Sequence, residues 1–197
     1  MPELTSGDVP ISAYRVVWDF MRTIDPSRAI VTHDAGSPRD QLLPFYVATT
    51  PHGYLGWGKS HQLGSGLGLI MGAKVAEPTK LCVNWMGDAA FGMTGLDLET
   101  AVRSDLPILT IVLKNSTMAA ERSSLTISHD RYRSRDLGGD YCDIARALGA
   151  HAERVVSPVE IVPAIERARM RTEEGRASLI EVVTSVGSAL SNYRALG

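Results

Sequence analysis

Cys82 and Cys142 are the only cysteines in the 197 residues, and they stand far apart. Cys-x-x-Cys spacing is missing, so the expectation is reduced thiols in a cytoplasmic protein. No apolar run reaches the roughly 20 residues that a membrane-spanning helix needs, and the start has no signal-peptide pattern; no membrane association is expected. A charge excess is missing too. The 20 Lys and Arg stand against 22 Asp and Glu, a formal −2, which argues against nucleic acid or another polyanion as partner. Internal repeats and low-complexity stretches are absent. The composition that remains, 44% hydrophobic and 21% charged, is that of one globular domain with a sizeable core.

The most informative stretch runs from Gly87 to Thr117. Upstream of it, 80–86 is an apolar run of strand length that ends at Gly87, which predicts Asp88 on a loop at the strand's carboxyl end. A helix is predicted over 94–104, with Leu98, Ala101 and Val102 on one face, and a second strand over 107–113. Asn115 follows that strand. Parallel strands would bring Asp88 and Asn115 to the same sheet edge, where open α/β sheets bind ligands. An acid and an amide there suit Mg2+, which takes oxygen ligands and shares them with phosphates. The small residues Ala89 and Ala90 would leave backbone N–H groups open to phosphate oxygens. A plain strand–helix–strand unit with a solvated Asp and a turn Asn explains the pair equally well when it is taken alone.

Around this stretch, helix and strand alternate. Residues 1–11 form a leader. An amphipathic helix over 12–24 carries Val16, Val17, Phe20 and Ile24 on one side, and 28–32 is a short strand. The loop 33–37 follows, with Gly36 in position to supply a positive φ. Residues 64–76 read as a glycine-rich helix, 141–148 as a helix, 151–156 as a strand and 178–184 as the last strand. Ser157, Pro158 and Glu160 are a helix start for a segment running to about Glu174. Residues 185–197 form a polar tail. The domain is therefore placed at 12–184, as an α/β fold with a doubly wound parallel sheet and helices on both faces.

The stretch Gly87-Asp88-Ala89, followed by helix, strand and Lys114-Asn115, resembles the diphosphate-binding signature of thiamine-diphosphate-dependent enzymes, Gly-Asp-Gly … Asn-Asn. Ala89 and Lys114 depart from it, and neither removes a metal ligand. The chain is similar to the last domain of acetolactate synthase, oxalyl-CoA decarboxylase and 2-hydroxyacyl-CoA lyase. The resemblance implies thiamine diphosphate and Mg2+ as cofactors, with Asp88, Asn115 and the Thr117 carbonyl as metal ligands. It implies cofactor contacts from Gly36, Ser37, Gly87, Asp88, Ala89, Ala90, Asn115, Thr117, Met118 and Ala119. It makes Leu63 the apolar wedge beneath the cofactor and gives the His61 carbonyl a bond to the aminopyrimidine. Glu121, six residues beyond Asn115, becomes the candidate acid–base residue.

The resemblance also implies a second, pyrimidine-binding domain that supplies an activating glutamate. One sheet uses every element here, so that domain is expected on a larger partner subunit of a hetero-oligomer. The implied reaction cleaves a carbon–carbon bond in an acyl-CoA or 2-oxo acid substrate. A 2-hydroxyacyl-CoA lyase is favoured, because 118–139 reads as a polar lid with Arg122, Arg131, Arg133 and Arg135, and Arg103 lies nearby. Acetolactate-type ligation and decarboxylation are the alternatives. The rival from another class is a P-loop module. Residues 53–60 fit G-x-x-x-x-G-K-[ST] and 44–50 would be its strand, but Gly64, Gly66 and Gly68 suit an early helix poorly and the motif gives Asn115 no task.

Overall fold

Residues 2–58, 62–122 and 124–187 are described by a computed structural model. The apolar runs become the parallel strands β1 (Ala29–His33), β3 (Leu81–Gly87), β4 (Leu109–Lys114), β5 (His151–Val155) and β6 (Ser178–Val183), joined at the edge by the two-residue β2 (Tyr54–Leu55). The sheet order is β2-β1-β3-β4-β6-β5, every pairing parallel. Helices cover both faces, and this is why the central strands are apolar without interruption. The α/β class and the doubly wound parallel sheet stand as read from the sequence.

One face is covered by α1 (Ala13–Thr23), α2 (Ser37–Leu42) and α8 (Ile161–Glu173), the other by α3 (Ser65–Ala76), α4 (Asp88–Thr94), α5 (Leu98–Arg103) and α7 (Tyr141–Ala147). Spacing decides which side chains enter the first core. Ala13, Val16, Val17 and Phe20 repeat at helical intervals, and Phe20 meets Trp85 of β3 edge-on at 5.2 Å. Alternation along β3 sends Val83 and Trp85 to that side, and Cys82 and Met86 to the other. Each fully buried side chain of this size contributes about 1.5–3 kcal/mol.

Several local expectations change. Residues 44–50 hold no strand, and the helix α2 precedes them, with Pro38 in its first turn where a missing N–H costs nothing. The single helix read over 94–104 is two. Asp88 opens α4 directly after Gly87 and does not sit on a loop, because its carboxylate accepts from the Ala89 N–H at 3.0 Å. A 3-10 turn at Gly95–Asp97 then separates α4 from α5. A Cβ at Gly95 would stand 2.5 Å from the Phe91 ring. The stretch 118–139 is not irregular throughout: it contains a 3-10 turn at Ala119–Glu121 and the helix α6 (Thr126–Tyr132). Ile11, assigned to the leader, is fully buried and bridges to Thr184. Residues 188–197 of the tail lie outside the described residues.

The glycines of α3 divide sharply. A Cβ on Gly66 would lie 2.5 Å from Asn84 Oδ1 and 3.2 Å from the His33 carbonyl, so the bare backbone lets α3 press onto β1 and β3. Gly68, expected to serve the same close approach, meets nothing within 4 Å. Gly66→Ala should therefore cost about 1–3 kcal/mol by overpacking. Gly68→Ala should add about 0.5–1 kcal/mol by relieving the helix entropy penalty. Urea unfolding midpoints check both, and equal midpoints would contradict the division.

Candidate functional site

Strand order locates the site. From β1 the chain passes to β2 on one side, while β3 lies on the other, so the order reverses between β1 and β3. Ligands of open α/β sheets bind outside the carboxyl ends at such a point. Register brings those ends level, His33 opposite Trp85 and Gly87 opposite Leu113. Asp34, Asp88 and Asn115 therefore emerge along one edge.

Asp88 is buried, and its carboxylate bridges two strand ends. Oδ1 accepts from the Ala89 N–H at 3.0 Å and Oδ2 from the Ser116 N–H at 2.6 Å. Burial pushes its carboxyl above the usual range, and the backbone N–H groups around it, those of Ser116, Ala89 and Asn115 among them, pull the other way. A desolvated carboxylate in this position is suited to a cation. Asn115 sits next to it, with Oδ1 accepting from the Thr117 N–H at 3.1 Å. Ser116 adopts φ 57°, which turns the chain so that its N–H meets Asp88.

The segment beyond is held from one side. The Leu137 N–H donates to the Ser116 carbonyl at 3.0 Å and the Met118 N–H to the Arg135 carbonyl at 2.9 Å, flanking a Thr117–Asp136 bridge. Alternation along an extended pair turns the N–H and C=O of Thr117 away from 135–137, to the side where its N–H meets Asn115. Asp88, Asn115 and the Thr117 carbonyl thus form an all-oxygen set that fits a hard divalent cation.

Of the other sequence-predicted residues, Gly36 has φ 86° and caps α2, with Ser37 first in that helix. The neighbouring Pro38 ring lies 3.5 Å from where a Cβ on Gly87 would be, which sets this loop beside the Asp88 strand end. Ala90 is buried, and Ala89, Thr117, Met118 and Ala119 are half-buried. Leu63 is partly buried against the α3 side core, just before Gly64 at φ 96°. His61 lies outside the described residues, as do Lys59 and Ser60. Glu121 is half-buried on the 3-10 turn after Met118, and its carboxylate has no hydrogen bond among the described residues.

Three features had escaped the sequence reading. Asp34 is fully buried and accepts backbone N–H groups from Ala35, Gly64 and Gly66. Ser116 closes the Asp88 contact. Behind Asn115, the buried Glu181 accepts from the Tyr141 and Cys142 N–H groups and pairs with Arg154 at 2.7 Å and Lys114 at 3.5 Å. Asp140 and Cys142 lie close to Glu181, but these bonds already occupy its oxygens. No spacing in the sequence marks partners 27 to 40 residues apart. Burial raises the thiols of Cys82 and Cys142 to about 11, which leaves them protonated and unreactive near neutral pH.

Other expectations are narrowed. The P-loop reading fails on the fold. Tyr54 and Leu55, inside its phosphate loop, are strand residues paired to β1, and α3 starts only at Ser65. Of the lid arginines, Arg133 pairs with Asp136 at 2.7 Å and Arg135 donates to the Arg122 carbonyl, while Arg103 pairs with Glu99 on α5. A cavity of about 600 Å³ opens at the opposite, amino-terminal edge between Arg28, Lys80, Glu166 and Arg169. None of the residues above lines it, and its mixed charges converge on no common point. No helix among the described residues is long and apolar enough to cross a membrane.

A parallel sheet with an acid and an amide on adjacent strand ends beside its switch point defines a cofactor-binding α/β domain. The chain belongs to the family described as "Thiamine pyrophosphate enzyme, C-terminal TPP binding domain", which matches residues 34–182. The acetolactate synthase large subunit IlvG of Mycobacterium tuberculosis is 29% identical over 186 residues, 92% of this chain and 33% of that protein. The sulfoacetaldehyde acetyltransferase of Alcaligenes xylosoxydans xylosoxydans is 29% identical over 164 residues, 80% of this chain and 27% of that protein. That of Rhodobacter capsulatus is 30% identical over 175 residues, 86% of this chain and 29% of that protein. The chain thus spans about a third of the length of these relatives.

Proposed function

We propose that this chain is the diphosphate-binding part of a thiamine-diphosphate enzyme, with Asp88, Asn115 and the Thr117 carbonyl holding Mg2+ and, through it, the diphosphate. The observation that carries this is Asp88, a buried carboxylate tied by backbone bonds to both the α4 and the Asn115 loops. Two phosphate groups at this edge need a cation to offset their charge. Lys114 is committed to Glu181 and to the Gly139 carbonyl, so it leaves that work to a metal. Gly36, Ser37, Ala89 and Ala90 line the diphosphate side, and Leu63, Met118 and Ala119 the ring side. Thiamine diphosphate supplies an electron sink for making and breaking bonds at a carbonyl carbon.

For the substrate, a 2-oxo acid in an acetolactate synthase-like or acyl-transfer reaction is the reading we favour, in line with the names of the relatives. A 2-hydroxyacyl-CoA lyase is the second reading. Its support is the pair Arg122 and Arg131 in the lid, which have no ion-pair partner among the described residues. Glu121, at the turn after Met118, is placed to move a proton at the reacting carbon. The pyrimidine-binding domain and its activating glutamate belong to a larger partner subunit, with sites where the chains meet in a hetero-oligomer.

Asp88→Ala should abolish Mg2+-dependent thiamine diphosphate binding while leaving the circular dichroism of the fold intact. An unchanged affinity, measured by calorimetry, sinks the metal assignment. Turnover should appear only when the chain is mixed with a pyrimidine-binding partner, with pyruvate consumed faster than a 2-hydroxyacyl-CoA. Activity of the chain alone contradicts the partner requirement, and the opposite substrate order favours the lyase. In the active assembly, Glu121→Gln should lower kcat by roughly 10²-fold, the scale of a lost general acid or base, with cofactor affinity retained. A wild-type kcat removes Glu121 from the reaction.

A further inference from the structure

Asp34 spends a fully buried carboxylate on backbone alone. Its Oδ1 accepts from the Ala35 N–H at 2.8 Å and from the Gly64 N–H at 2.8 Å, and its Oδ2 from the Gly66 N–H at 3.0 Å. It has no ion pair among the described residues, while its own N–H continues the β1–β3 ladder to the Trp85 carbonyl at 2.6 Å. The carboxylate is thus anchored to the sheet and reaches across to the start of α3. Gly64 is gripped from the other side as well. The Thr94 hydroxyl donates to its carbonyl at 3.3 Å, and the Thr94 methyl lies 2.2 Å from where a Cβ would stand. Two glycines separated by one residue have wide conformational freedom. Here the N–H of each is fixed by one rigid acceptor group, and the residue just before them is Leu63.

We propose that Asp34 is a positioning residue, whose carboxylate fixes the Gly64–Gly66 turn and thereby the height at which Leu63 stands beneath the cofactor. This rests on the reading of Leu63 as the apolar wedge of a thiamine diphosphate site. The chemistry requires an acid at position 34. Only a carboxylate offers acceptors on both arms. Asparagine has the same shape but must point its NH2 either at the Gly66 N–H or at the pair from Ala35 and Gly64, and donor then faces donor. A wedge that shifts by about 1 Å loses the pre-set geometry on which a bound reactant depends.

The test begins without cofactor. In the full chain, Asp34→Asn should speed amide hydrogen exchange in peptides covering 62–68 by at least tenfold, with peptides from β3 and β4 unchanged. Asp34→Glu, which keeps both acceptors, should restore part of the slow exchange. In the assembled enzyme, Asp34→Asn should weaken thiamine diphosphate binding about tenfold, and should add little in a Leu63→Ala background, because the two changes act on one contact. A role confined to capping α3 predicts instead equal losses with and without Leu63. That result overturns the proposal, as does exchange that is unchanged at 62–68 or faster throughout the domain. Wild-type enzyme that fails to bind thiamine diphosphate sinks the cofactor reading, and the exchange measurement alone still decides whether Asp34 fixes the turn.

Discussion

Parallel register between β1, β3 and β4 is the constraint from which the site follows. Val31 faces Val83, and Val83 faces Leu109, so three strands finish level and hand their loops to one edge. Buried apolar runs enforce this, since a slip of one residue would drive Trp85 away from Phe20 and out of its core. No loop has to reach far. The contact between Asp88 and the Ser116 N–H, across 28 residues of chain, is a short span between neighbouring strand ends.

Two buried aspartates occupy that edge and do different work. Asp34 has both oxygens taken by N–H groups of its own loop and of the turn before α3. Asp88 is held by the loops after β3 and β4, in surroundings that raise its carboxyl. The first ties α3 to the sheet. The second sits beside an amide oxygen and a carbonyl turned its way. Thr94 joins them mechanically: it ends the helix that Asp88 begins and bears directly on Gly64, which Asp34 holds.

How much of this could be read beforehand depended on range. The strands β1, β3, β4, β5 and β6 were legible because burial on both faces leaves apolar runs bounded by Gly, Pro or charge. Asp88 and Asn115 were legible because each follows such a run directly. The two-residue β2 is too short to leave a pattern, and the break between α4 and α5 depends on the Phe91 ring closing against Gly95. The work of Asp34 was hidden for a different reason. Its partners lie 30 and 32 residues on, in a glycine-rich stretch that also spells a P-loop, and only the packing of α3 onto β3 brings them within reach. Gly68 shows the converse, a glycine whose place in the pattern suggested contact and whose surroundings are open.

The bridge between Ile11 and Thr184 has a consequence for how such a unit is built into larger proteins. Ile11 donates its N–H to the Val183 carbonyl at 3.1 Å and accepts from the Ser185 N–H at 2.9 Å. The incoming and outgoing strands of the chain are therefore stitched together at one corner of the sheet, on the same side as the Asp88 edge. A fold whose two leads run side by side is a plug-in module: it closes on itself whatever polypeptide lies beyond the leads. Evolution can splice it behind other domains, or run it as a chain of its own, without disturbing a single strand pairing.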